Sequence, residues 1–505
     1  MKDFTASLFN ASRPEWFPAA TLFAVLATWG VIVAYIPLPV DGGWYSYSAY
    51  ALSEGGNAYQ NLAREPFSSP VSITAFFPWD TGSSLRTVYA ALWLSLAKPS
   101  LTSIRVLSLV EYALFIAAAG VLYRSYGASW RRIVPILSLL ALDKSILFGA
   151  LADFRPDIPL GTASIVLLLC LRSEQRKVRV VGGCAFGASA SLLHATAPVP
   201  IACACIIGML YWWRKEGRIS TALVDSALIA LVAAGVFFAK GALFRELLDQ
   251  PSSTAGAVDI VARIRESWGR GASFLVTKEL HRWRAHFLYV NLFQFFAALV
   301  ALLVALRTLV LRRVTAGADV MLGILAGAVM LLAGDPHVAE AHVIPLLPFL
   351  LLPLAAEVHA ESQRVFRVLG VLALGSLILT AAMDVRNVRR AVADGYSNTR
   401  AAKALAEITR INPTAEIAGG TELWPVFPAS ARVTLLDRTR KLPEFQDKHG
   451  VPIEAVDFII VGPDQRGYGW ALLTAELVEK GVAREVWSAS HQLSVVQLLH
   501  PKARH

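Results

Sequence analysis

Between Trp16 and about Met383 the chain returns repeatedly to apolar runs long enough to cross ~30 Å of hydrocarbon, each closed by a short polar or charged stretch. Only helices and closed barrels satisfy their backbone groups in lipid. Runs of this length therefore point to an all-α polytopic membrane bundle. Composition agrees. Of the 505 residues, 55% are hydrophobic and 17% charged, with a mean hydropathy of +0.52, whereas soluble domains average about a quarter charged residues. The runs predict eleven spans, at about 16–38, 103–123, 132–151, 158–172, 178–194, 197–213, 221–243, 287–306, 318–333, 342–358 and 365–383. The stretch 85–97, LRTVYAALWLSLA, is short for a crossing and reads as an interfacial helix. Lys2 and Arg13 precede a first run longer than a signal-peptide core, and no small-x-small cleavage pattern precedes Asp41. That run is expected to be retained as the first helix.

The net charge of +10 is not spread as a nucleic-acid surface would be. It gathers at the ends of apolar runs, where basic residues set topology and meet anionic membrane lipids. With eleven spans, the clusters at Arg124/Arg131/Arg132, Arg172/Arg176/Lys177/Arg179, Arg214/Lys215/Arg218, Arg307/Arg312/Arg313 and Arg364/Arg367 all fall on the side of Lys2 and Arg13. That side is then the cytoplasm. The outer side receives a long first loop, about 39–102, the turn ADFRPDIP at 152–159, a basic loop at about 244–286, GDPHVAEAH at 334–342, and the C-terminal 384–505. The tail alternates strand-like runs (415–420, 432–437, 457–463) with helical patterns (387–410, 469–481). It is expected to form a small extracytoplasmic α/β domain, with 1–383 as the membrane domain. Cys170, Cys184, Cys203 and Cys205 lie within apolar runs and read as small core residues.

Ionisable groups converge on the outer side. Asp41 follows the first span, and Gly42 and Gly43 permit a tight turn and close approach of a ligand. Trp44, Tyr45, Tyr47 and Tyr50 fit either an interfacial aromatic belt or a sugar-stacking platform. In ADFRPDIP, Asp157 suits a helix start, with Pro159 in the first turn. Asp153 and Arg155 need another role: an anionic ligand, a metal ion or a mutual salt bridge. Lys144, beside Asp143, is read inside the third span about two turns below this turn, where an ionisable group faces a bundle interior or a wet cavity. Lys278, His281, Arg282, Arg284 and His286 precede the eighth span and fit either lipid headgroups or a phosphate clamp. Asp335, His337, Glu340 and His342 read as a polar rim, with metal binding as the alternative.

The run from Asp41 through YSYSAYALSEGG and REPFSSP (64–70), and more loosely ADFRPDIP, resembles the first outer loop of the GT-C superfamily of glycosyltransferases. Relatives with this plan include the protein O-mannosyltransferases and the lipid A aminoarabinose transferases. Two departures stand out: Gly42 occupies a position where many relatives carry an acid, and Pro66 and Pro70 are separated where relatives pair them. The resemblance implies a multispan bundle with an outer active site and an outer α/β tail. It implies inverting transfer of a sugar from a polyprenyl-phosphate carrier to a lipid, glycan or protein acceptor, with Asp41 as catalytic base. The leaving phosphate would then be met by Arg155, Arg282 and Arg284, with Lys144 behind them. Asp153, Asp157, Tyr45, Glu54 and His337 would position the acceptor or bind a divalent metal, the one cofactor the pattern leaves open. No GxGxxG or P-loop lies in a plausible cytoplasmic position, so a lipid-linked donor fits better than a nucleotide sugar. A transporter or flippase is the alternative. It would place ionisable groups at mid-membrane and repeat its halves, and neither is visible here.

Overall fold

The computed structural model describes residues 16–36, 38–53, 84–217, 219–247, 265, 268–310, 316–334, 340–357, 363–394, 399–420, 424, 432–436, 457–461, 469–489 and 493–499. Helices fill the apolar runs. They are α1 (Trp16–Tyr35), α2 (Val40–Ser53), α3 (Ser84–Ala97), α4 (Leu101–Ser125), α5 (Trp130–Ala141), α6 (Lys144–Leu151), α7 (Asp157–Leu171) and α8 (Gly183–Leu193), the last entered through a π-helical turn, Val178–Gly182. After these come α9 (Pro198–Glu216), α10 (Ile219–Leu247), α11 (Ala272–Arg284), α12 (Leu292–Val310), α13 (Ala316–Gly334), a 3-10 segment Glu340–Leu346, α14 (Leu347–Glu357) and α15 (Gln363–Asp394).

Helix occupies all eleven segments read as spans. By length and composition, however, four helices among the described residues qualify to cross a membrane, or six if each of two bent pairs is one span. The bends have local causes. Asp143 takes extended backbone and its Oδ1 accepts the Ile146 N–H at 3.1 Å, so α6 starts afresh at 54° to α5. At the second bend, of 115°, Asn291 leaves helical geometry and its Oδ1 accepts the Lys144 N–H at 2.7 Å. The second break thus satisfies a backbone N–H that the first exposes.

Two expectations change here. Part of the stretch read as a basic outer loop at 244–286 is helix, since α10 runs to Leu247 and α11 occupies Ala272–Arg284. Lys144 does not lie inside a continuous span but opens α6. Basic residues of the 172–179 and 214–218 clusters are tied into the bundle by polar contacts. Arg172 donates to Ser125 Oγ at 2.6 Å, Arg179 pairs with Asp225 at 2.9 Å, Lys215 pairs with Glu174, and Arg214 pairs with Asp319 at the start of α13. Helix α1 packs on α15, where Thr28 donates to Asp384 Oδ2 at 2.7 Å.

The C-terminal segment adds α16 (Thr399–Ile411), α17 (Gly469–Glu479) and a five-stranded mixed sheet of order β2-β1-β3-β5-β4. Strand β1 (Glu416–Gly420) lies parallel to both β2 (Arg432–Leu436) and β3 (Phe458–Val461), pairing Ala418 with Thr434 and Ile459. Strands β4 (Ala483–Ala489) and β5 (Leu493–Leu498), which the sequence pattern did not single out, close it as an antiparallel edge. All four residues of β3 are buried, as a strand covered on both faces requires. One apolar cluster joins this sheet to α2 and α3 through Tyr47, Ala90, Leu94, Phe154, Ile417 and Phe458.

Candidate active site

The site is built where α2, the 152–156 turn and the 3-10 segment meet. Asp41 is the second residue of α2, whose first turn is closed by the Gly43 N–H donating to the Pro39 carbonyl at 2.8 Å. The glycines therefore do not form the turn expected of them; they are helical. Gly42 serves close approach instead. A Cβ there would lie 2.9 Å from the Asp153 carbonyl oxygen and 3.0 Å from Leu38 Cδ1. This contact sets the α2 start, with Asp41 beside Gly42, directly against ADFRPDIP. The Asp41 and Trp44 side chains lie outside the described residues, as do Glu54, Asp335, His337 and the Glu340 side chain. Tyr45 is half-buried and packs on the cluster shared with the sheet.

Two buried arginines that the sequence reading missed hold this turn. Arg105 of α4 is fully buried and its Nη1 donates to the carbonyls of Leu151, at 2.6 Å, and Ala152. Arg86 of α3 donates to the Phe154 carbonyl and stacks over the Phe154 ring at 3.7 Å. Phe154 has φ +48°, a left-handed conformation uncommon for a bulky side chain. A salt bridge from Arg86 to Glu111, with Nε to Oε1 at 2.9 Å, steadies Arg86 in turn, and Tyr89 donates to the same carboxylate. Burial, and then the Glu111 carboxylate, push the Tyr89 phenol well above the usual tyrosine range, which keeps it a donor. A sequence signal for these groups existed: Arg105 and Glu111 are ionisable residues within an apolar run.

Beyond the turn, Arg155 Nε donates to Asp157 Oδ2 at 3.1 Å; the arginine side chain is 12% exposed and the aspartate 0%. Asp157 also meets His194, at the end of α8, and His342 of the 3-10 segment; one ligand atom from each of the three lies within 4.8 Å of the others. Gly161 makes room for Phe115 nearby. One turn along α7, a Cβ on it would stand 2.5 Å from Phe115 Cε2. Sequence reading placed His342 in a rim and did not select His194.

The predicted phosphate clamp is divided. Arg282 is fully buried and pairs with Glu279 at 2.8 Å, and Lys278 joins them at 3.7 Å. Arg284 and His281 are exposed, because residues two apart on a helix point to different sides. Lys144 is partly buried, and its neighbour Asp143 faces His286 Nε2 at 3.3 Å. A mostly apolar cleft lined by Leu139, Asp143, Phe287, Ala298, Leu347 and Leu351 adjoins that pair.

No family model and no curated protein matches the sequence. Solved structures do. The crystal structure of ArnT from Cupriavidus metallidurans bound to undecaprenyl phosphate aligns over 96% of this chain and 98% of its own, with TM-score 0.55 and 12% identity. The fold is similar to that of ArnT. The apo ArnT structure agrees, covering 95% of this chain and 97% of its own with TM-score 0.53 and 12% identity. Membrane bundle and C-terminal sheet both fall within the aligned ArnT length, so this is an integral membrane protein with an ArnT-like fold.

Proposed function

We propose that this chain is a GT-C type inverting glycosyltransferase that moves a sugar from a polyprenyl-phosphate donor to an acceptor at the outer membrane face. The observation that carries the reading is the contact between Gly42 and the Asp153 carbonyl within an ArnT-like fold. It brings together the two stretches in which the sequence resembles GT-C enzymes.

In this mechanism the Asp41 carboxylate accepts the acceptor's proton as its oxygen or nitrogen attacks the anomeric carbon. The new bond forms on one face as the bond from the anomeric carbon to the phosphate oxygen breaks on the other, inverting the centre. Polyprenyl phosphate leaves with the electron pair. Its charge calls for preorganised cations. Arg155, partly exposed and fixed by Asp157, and Lys144 at the α6 start are suited to meet it. Arg282, fully buried on Glu279, is suited to hold α11 in place, and exposed Arg284 to meet lipid headgroups. Asp153 and Tyr45 border the acceptor side.

The test is native mass spectrometry of purified protein with a panel of polyprenyl-phosphate sugars, wild type beside Asp41→Asn. One donor should bind both proteins and be consumed only by the wild type once membrane extract supplies acceptor. Equal consumption by Asp41→Asn would remove Asp41 as base. Binding of no such lipid, with retention of another membrane solute, would favour a transporter.

A further inference from the structure

We propose that Asp157, His194 and His342 form a binding site for a zinc-class divalent ion. Three segments distant in sequence deliver one donor each, and the ligand atoms lie within 4.8 Å of one another. The side chains are 0%, 2% and 4% exposed, so the group is a built interior feature and not a chance surface cluster. The imidazoles stand edge to face, ring centroids 5.3 Å apart at 61°.

Two observations point to an ion. Asp157 divides its carboxylate: Oδ2 takes the Arg155 guanidinium, while buried Oδ1 has no hydrogen-bond partner among the described residues. A buried carboxylate oxygen left so is costly, and a cation would answer it. His194 Nδ1 lies 2.7 Å from Thr196 Oγ1, and the Thr196 N–H also reaches Nδ1, at 3.2 Å. These contacts at Nδ1 fix the plane of the His194 ring, as outer-shell partners do for a metal-binding imidazole.

The donor set selects the ion. Two imidazoles and one carboxylate suit zinc and its neighbours, whereas magnesium and calcium prefer oxygen shells. Tetrahedral bonds of about 2.0–2.1 Å set ligand atoms about 3.3 Å apart, so binding would close the group by at most about 1.5 Å. Three protein ligands leave a fourth position for water or an oxygen anion. An ion here would fasten the start of α7, the end of α8 and the 3-10 segment together. Through the second oxygen of Asp157 it would fix Arg155.

The test uses metal alone and does not depend on the transferase reading. Full-length protein in detergent is stripped with chelator, exposed to Zn(II), freed of excess and measured by elemental mass spectrometry. The wild type should retain about one ion per chain and melt at a higher temperature than the stripped form, with chelator reversing the shift. His194→Gln and His342→Gln should fall to background, and His281→Gln, at an exposed position, should match the wild type. Co(II) bound to the wild type should give the absorption of a low-symmetry nitrogen–oxygen site, a readout that requires no variant to fold. Folded wild type that retains no ion, or retention unchanged in the His194→Gln/His342→Gln double variant, overturns the site. The group would then be a carboxylate shared between two imidazoles.

Discussion

Gly42 shows how one missing side chain organises the site. The nearest neighbour of an added Cβ would be the Asp153 carbonyl oxygen at 2.9 Å. Backbone cannot rotate aside as a side chain can, so Gly42→Ala must shift either α2 or the turn. Overpacking of this kind costs about 1–3 kcal/mol, and the displacement would fall on Asp41. We expect Gly42→Ala to lower both melting temperature and transfer. An acidic side chain at this position would meet the same carbonyl. Gly30, with nothing within 4 Å of its added Cβ, is the comparison: Gly30→Ala should be tolerated. Equal melting curves and turnover for the two variants would show that α2 does not rest on Asp153.

At the scale of elements, the 152–156 turn is held by carbonyl contacts to two arginines from different helices. Arg86 is itself paired with Glu111, both buried. Removing one partner strands a buried charge, which costs about 3–5 kcal/mol, whereas removing both is often nearly neutral. Arg86→Leu should therefore destabilise strongly, and the Arg86→Leu/Glu111→Leu double variant should recover much of the melting temperature. Transfer should not recover with it, because Phe154, in its left-handed conformation, would still lack the carbonyl contact from Arg86. Recovery of stability and activity together would make the pair a scaffold with no bearing on the turn.

Across the whole molecule, the C-terminal segment reaches α2 through an apolar cluster and through the polar contact of Trp424. Trp424 Nε1 donates to Ser46 Oγ at 2.8 Å, and Ser46 donates onward to the Gly42 carbonyl at 2.6 Å. The Trp424 indole stacks on Tyr50 at 4.4 Å and 15°. This relay ends beside Asp41, so the tail can set the position of the first turn of α2. Trp424→Ala should lower kcat more than it lowers donor affinity, with the bundle still folded by circular dichroism. Wild-type kcat in that variant would reduce the tail to a cover. Phe at 424 keeps the stack but loses the donor, and should give an intermediate rate.

Much of the architecture was legible in the sequence because hydropathy and helical period are local properties. The apolar runs, the helix expected at 85–97, the helices of the tail and three of its five strands lie near where the pattern placed them. The resemblance in 41–70 pointed to the fold shared with ArnT through residues adjacent in the chain. What the tertiary structure decided is which charged groups face inward and whom they meet. Arg282 and Arg284 are near neighbours in sequence, yet only packing buries one and exposes the other. The Arg86–Glu111 pair and the Asp157–His194–His342 group join segments that no spacing rule connects. A charge enters an apolar interior only when a partner compensates its desolvation, and that partner is supplied by folding, from elsewhere in the chain.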